Sequence, residues 1–148
     1  MFGKLASSEG VAKDFGLLLI RLGVSVFMFC LHGYGKITGG PERWEGTGGA
    51  MANLGITFMP VAWGFLAAFA ESVGSILIVL GPLFRVATLM LAFNMFVATM
   101  MHMNLPTDNP ASGFAGAEKA LVYMTVYLGL FFAGPGRFAA KLTKAERR

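Results

Sequence analysis

Charge is what this chain has least of. Only 14% of its 148 residues are Asp, Glu, Lys or Arg, too few to build the mixed charged surface of a soluble monomer. There is one cysteine, Cys30, which excludes an internal disulfide, a cysteine-based zinc site and a cysteine-held iron–sulfur cluster. A Gly-rich dinucleotide fingerprint is also missing, so flavin or nicotinamide chemistry has no binding motif and any electrons must come from a partner or the substrate. No internal repeat or low-complexity tract is present. What the chain has in quantity is apolar: 55% of it is hydrophobic. Its length is that of one ordinary domain, read as a single membrane domain over residues 1–148.

Four apolar runs stand out, at residues 15–35, 60–80, 84–103 and 117–133. Each approaches the ~20 residues that a helix needs to cross ~30 Å of hydrocarbon. The first is expected to stay attached and not be cleaved as a signal peptide, because it holds Arg21 and leads into HGYGK instead of a small-residue cleavage site. Gly81-Pro82 forces a tight reversal between the second and third. The prediction is an all-α integral membrane protein, a four-helix bundle with antiparallel up-down-up-down topology. Lys4, Lys13, Arg21, Arg85, Arg137, Lys141, Lys144, Arg147 and Arg148 fall on one side, against Lys36, Arg43 and Lys119 on the other. The positive-inside rule then places both termini, including a basic tail at 137–148, in the cytoplasm. Because the basic residues flank apolar runs, the net charge of +4 points to membrane lipids and not to nucleic acid. Trp44 and Trp63 are placed near the outer interface. The Gly-rich link 38–59 is expected to carry a short interfacial helix at 51–59, and 104–116 an ordered external turn.

An ionisable group in hydrocarbon costs several kcal/mol unless paired or hydrated, so the few polar residues inside the runs carry the information. Glu71 lies roughly 14 Å from the cytoplasmic end of its run and Arg21 roughly 9 Å into its own, at ~1.5 Å per residue. Their similar depths predict an Arg21–Glu71 ion pair. Arg21, Ser25, Met28, His32 and Lys36 recur at helical steps and form one stripe. Gly64, Ala68 and Ser72 form a small-residue ridge near Glu71. Asn94, Ala98 and His102 trace a face of the third run, and Lys119, Tyr123 and Tyr127 a face of the fourth. A mid-depth layer of Arg21, Ser25, Glu71, Asn94 and Tyr127 results, below an outer layer of His32, Lys36, His102, Glu118 and Lys119. These groups either fix helix register by pairing with one another or carry chemistry, since neutral imidazole is a proton carrier and a metal or haem ligand. TMMHMN at 99–104 offers soft thioether ligands of the kind that hold Cu(I), although methionine is also a flexible core filler.

These residues fall into a pattern that resembles the DoxX family of small bacterial and archaeal membrane proteins, which includes the DoxD-like subunits of thiosulfate:quinone oxidoreductase. The matching pieces are LLLIRLGVSVFMFCLHGYGKITGG; FLAAFAESVGSILIVLGPLFRVATLMLAFNM; a histidine closing the third run; and GPGRF after the fourth. The resemblance singles out Arg21, His32, Gly33, Lys36, Glu71, Arg85, His102 and the turn 134–137. One departure follows that turn: FAAK stands where many relatives have a serine and an acidic residue. The resemblance implies a multi-pass protein of a bacterial or archaeal plasma (inner) membrane, tied to quinone-linked redox chemistry in thiol or sulfur metabolism or oxidative stress.

The leading functional expectation is therefore the membrane subunit of a quinone-dependent oxidoreductase. Arg21, Glu71 and His32 are the expected catalytic and proton-relay residues, and His32, Lys36, His102 and Tyr123 the expected quinone-binding donors. Haem between His32 and His102, or copper at the Met-rich segment, are the alternative cofactors. A bundle this small has little interior, so a homo-oligomer or a place in a membrane redox complex is expected. Two other classes compete: a non-catalytic anchor or assembly subunit that recruits a partner through its basic tail, and a small proton-coupled transporter built on Glu71.

Overall fold

The computed structural model describes residues 2–140, with side chains from Gly10 onward. All regular structure among them is helical. Helix α1 runs Phe2–Met28 and continues through a π turn, Phe29–Gly33, into a last α turn, Tyr34–Ile37. A short helix α2, Gly40–Gly48, is followed by a 3-10 segment, Gly49–Leu54. Helix α3 spans Pro60–Leu80 and contains a second π turn, Ala70–Gly74. Helices α4, Phe84–Met103, and α5, Gly113–Ala133, complete the chain. Three stretches, Gly10–Ile37, Pro60–Leu80 and Phe84–Met103, are long and apolar enough to cross a membrane. Helix α5 has 21 residues and carries Glu118 and Lys119 near its start.

Local residues explain most helix limits. Pro60 sits in the first turn of α3, where its missing N–H is no loss and its fixed φ suits a helix start. Gly81 stops α3 in the left-handed region at φ 105°, a conformation open to glycine at little cost. The first helix begins well before residue 15, since no proline interrupts 2–37. The fourth begins at Gly113, four residues before the apolar run. The expected interfacial helix at 51–59 is not formed. Helix α2 occupies 40–48 instead, with Pro41 in its first turn, and the 3-10 segment ends at Gly55 with φ 77°. The tail residues Lys141, Lys144, Arg147 and Arg148 lie outside the described residues, as does the side chain of Lys4.

The π turns set the helix registers. On α1 the buried positions run Arg21, Ser25, Met28 and then Gly33, a step of five where an α-helix would take four, because a π turn inserts one residue. His32 is thereby rotated off the inner stripe and is exposed. Gly33 takes its place, and a Cβ there would meet the Glu71 carbonyl. The π turn of α1 thus rests against the π turn of α3. Within α3, Ser72 Oγ donates to the Ala68 carbonyl at 2.6 Å and Ser75 Oγ to the Glu71 carbonyl at 2.7 Å, giving partners to carbonyls around the widened turn.

Helices α4 and α5 share the most extensive contact, and the core is built from Met28, Ile78, Leu91, Met95, Tyr127 and Leu130. Phe15, Leu19, Leu31, Val86, Phe96 and Phe132 are exposed, so the outside of the helices is as apolar as a bilayer requires. Helix α2 lies on α3 at close quarters: a Cβ on Gly64 would meet the Trp44 carbonyl, and one on Gly48 the Pro60 carbonyl. Trp44 Nε1 donates to the Lys36 carbonyl at 2.8 Å, tying α2 to the end of α1. Elsewhere, the segment 134–140 is strapped across α1 and α3. Ala140 N–H donates to the Leu80 carbonyl at 2.8 Å, and the Arg137 N–H to Asp14 Oδ1 at 3.2 Å.

Candidate functional site

Glu71 is the centre of the buried polar groups. The residue is 1% exposed, held in the π turn of α3. Lys36 Nζ lies 2.6 Å from its Oε1, and Asn94 Nδ2 donates to the same oxygen at 2.7 Å. Its second oxygen, Oε2, is buried with no protein partner. Three helices thus meet on one carboxylate: Lys36 reaches it from the end of α1, past the Gly33 contact, and Asn94 from the middle of α4.

The expected Arg21–Glu71 pair is not formed. Arg21 is 1% exposed, but Nη1 donates to the Pro135 carbonyl at 3.0 Å and Nη2 to the Phe138 carbonyl at 2.7 Å. Depth along a helix axis says nothing of azimuth, and the two Arg21 hydrogen bonds go to the turn after α5. That turn is the GPGRF segment, so the guanidinium and the turn form one unit. Arg85 is exposed, with its guanidinium 6.0 Å from the Phe131 ring centroid.

Two cavities flank the Lys36–Glu71 pair. A polar cavity of about 540 Å³ has His32, Lys36, Glu71, His102 and Tyr123 in its wall, with Met28 and Met95 as its apolar side. Glu118 and Lys119 also line it. Five of the six residues expected to be catalytic or ligand-binding are thereby brought together, and Arg21 is left out. His102 Nδ1 is 2.8 Å from the Ala111 carbonyl. A carbonyl can only accept, so Nδ1 is the donor there and Nε2 is the ring nitrogen left for other partners. Tyr123 stacks on Tyr127 with ring centroids 6.0 Å apart, and the Tyr127 hydroxyl and Ser25 Oγ are buried without partners. An apolar cavity of about 410 Å³ lies on the other side, between α2, α3 and α4, sharing Lys36, Glu71, Ala98 and Met101 with the first.

Sequence reasoning placed Asn94 in the mid-depth layer but missed it as a Glu71 partner. The available signal was a lone amide in an otherwise apolar helix, which must find a partner. Trp63, read only as an interfacial ring, has its Nε1 buried without an acceptor and lines the apolar cavity. The Met-rich segment diverges: Met101 lines both cavities while Met103 is exposed. Cys30 is exposed. Among the described residues no three His, Cys, Asp or Glu side chains are grouped as metal ligands.

The pattern of the DoxX family matches residues 16–104, more than half of the chain and the part that carries Arg21, His32, Lys36, Glu71, Asn94 and His102. The chain belongs to the DoxX family. It is also similar to an uncharacterised protein of Haemophilus influenzae, at 31% identity over 134 residues, 86% of this chain and 89% of that relative. No solved structure matches. This DoxX-family membrane protein thus has its central carboxylate and both its partners inside the family segment. Tyr123 and the Arg21-bound turn lie beyond it, contributed by α5 and the residues after it.

The wall of the polar cavity combines hydrogen-bond donors, apolar surface and a carboxylate oxygen. His32, Lys36 and Tyr123 offer N–H or O–H donors to carbonyl oxygens, Met28, Met95 and Met101 offer apolar contact to a ring, and the unpaired Glu71 Oε2 is a buried proton acceptor.

Proposed function

We propose that this DoxX-family protein is the membrane subunit of a quinone-linked redox system, with four antiparallel spans, both termini cytoplasmic, and its reaction site in the polar cavity. The observation that carries this reading is the convergence of His32, Lys36, Glu71, His102 and Tyr123 on one cavity wall inside an otherwise apolar protein. Intramembrane ionisable groups gathered at one place favour function over mere register.

A bound quinone supplies a two-electron acceptor that takes up two protons on reduction. His32, Lys36 and Tyr123 orient its head group by donating to the carbonyl oxygens. His102, held by Ala111 with Nε2 open, accepts or passes on a proton at that nitrogen. Glu71 Oε2, buried without a protein partner, is the atom that accepts and passes on a proton, within a wall that exposed Glu118 and Lys119 extend toward water. Arg21 acts as a positioning residue, since its guanidinium hydrogen bonds go to the 135–138 turn and it does not line the cavity. The chain has no motif for a flavin and no cluster-forming cysteines, so electrons arrive from a partner of the complex or from the substrate itself.

Equilibrium dialysis of a short-chain quinone against the protein in lipid nanodiscs tests this reading. His32→Ala and Tyr123→Phe should each weaken binding about fivefold, the loss of one neutral hydrogen bond, with the unfolding temperature unchanged. Binding that is equal in the parent and both variants, or absent in all three, removes the proposal.

A further inference from the structure

The apolar cavity has no part in the reading above, yet it is shaped as a site. Its wall is mostly apolar, with Thr47, whose hydroxyl donates to the Arg43 carbonyl, and two further polar places. Deep inside stand Lys36, Glu71 and Asn94; nearer the start of α3 stands Trp63, whose Nε1–H is buried without an acceptor. Eight residues separate Trp63 from Glu71, roughly 12 Å along a helix, so the indole donor and the carboxylate cluster serve different parts of the cavity. A buried donor is costly to leave without a partner, and a ligand acceptor at that end would satisfy it.

The route in is also apolar. Leu66 and Phe93 line the cavity and are 47% and 49% exposed on the outer face, so the cavity reaches the lipid-facing surface between α3 and α4. Its far wall is closed by Gly46, Gly48, Ala50 and Met51 of α2 and the 3-10 segment. Helix α2 is held there by the Trp44–Lys36 hydrogen bond and the glycine contacts. A water-borne solute would face that cover; a molecule dissolved in the bilayer faces an open apolar slot.

We infer that this cavity is a second ligand site, taking an uncharged, bilayer-soluble molecule whose carbonyl oxygen accepts the Trp63 Nε1–H hydrogen bond. The site stands independently of the redox reading, because it uses neither His32, His102 nor Tyr123 and requires no electron transfer. It is separated from the polar cavity by the Lys36–Glu71 pair and shares that wall with it.

Benzophenone is a suitable probe: an uncharged diaryl ketone that partitions into bilayers and, when illuminated, inserts into nearby C–H bonds, methionine above all. Met51, Met90 and Met101 line the cavity. Photolabelling of the full chain in nanodiscs, followed by peptide mass spectrometry, should mark Met51 or Met90. Trp63→Phe, which keeps an aromatic ring but lacks the donor, should lower that labelling about fivefold, as loss of one neutral hydrogen bond implies. Ala67→Leu, which fills the slot from its wall and leaves the donor in place, should lower it as well. Labelling confined to outward-facing residues, or labelling of Met51 and Met90 that is equal in the parent and both variants, overturns the inference.

Discussion

Replacing Lys36 by methionine lowers the stability of the folded protein by about 3 kcal/mol, the range found when one partner of a buried ion pair is removed. The side chain of Glu71 is 2% exposed and that of Lys36 is 24% exposed, so the two halves of the pair are not equivalent. Without Lys36 the carboxylate keeps only the Asn94 amide on Oε1, in a site where Oε2 already lacks a partner. An uncompensated buried carboxylate then strains the π-turn contact between α1 and α3 toward opening. Glu71→Gln is milder, because an amide remains able to bond to Asn94 and the Lys36 ammonium reaches solvent along its own stem. The double variant Lys36→Met, Glu71→Gln recovers most of the loss. Denaturant-induced unfolding in detergent micelles, run as a double-mutant cycle, measures the coupling. Additive effects of the two substitutions would show that the pair is not the unit described.

Arg21→Leu detaches the segment after α5. Two charge-assisted hydrogen bonds, to the carbonyls of Pro135 and Phe138, are each of the kind that contributes about 1.5–3 kcal/mol, and both carbonyls are left without their donor. The remaining ties of that segment are the Ala140–Leu80 backbone bond and the Asp14 contacts. Asp14 and Arg137 are partly or largely exposed, so their pairing at 3.8 Å adds little. The expected result is faster thiol labelling of a cysteine placed at Ala139, by at least about tenfold, which is 1.4 kcal/mol of lost protection. Arg21→Lys should restore only part of it, because a point ammonium cannot span two carbonyls as the guanidinium fork does. Labelling at the parent rate in Arg21→Leu would contradict the assignment.

How far the sequence could be read depends on which physical signal each feature leaves. The ends of α3 are written in Pro60 and Gly81, and its membrane-crossing length in the uninterrupted apolar residues between them. His32, Lys36, Glu71, His102 and Tyr123 stand out as candidates because polar residues in apolar helices are rare, but the sequence separates Glu71 into a mid-depth layer, whereas all five line one cavity. The partners were not visible. Arg21 and Glu71 lie at similar computed depths, but depth fixes position along an axis and leaves rotation open. Two π turns each add a residue to the helical register, and nothing in the apolar periodicity marks the insertion. Only Gly33, whose missing side chain admits the Glu71 backbone, hints at where α1 and α3 touch. The Arg21 acceptors are main-chain carbonyls, which carry no residue signature. The placement of α2 is obscured for a related reason: in the Gly-rich link the helix is expected at 51–59, whereas the glycines at 40–48 let α2 lie directly on the α3 backbone at Gly64.

The central claim is that the polar cavity serves a quinone. The most direct measurement is a reduced-minus-oxidised ultraviolet and visible difference spectrum of the full chain purified in mild detergent, against lipid-matched controls. A quinone held in the polar cavity gives a difference signal at about one per chain, smaller in His32→Ala and Tyr123→Phe. A spectrum with no quinone signal above the controls, before and after incubation with a short-chain quinone, would contradict it.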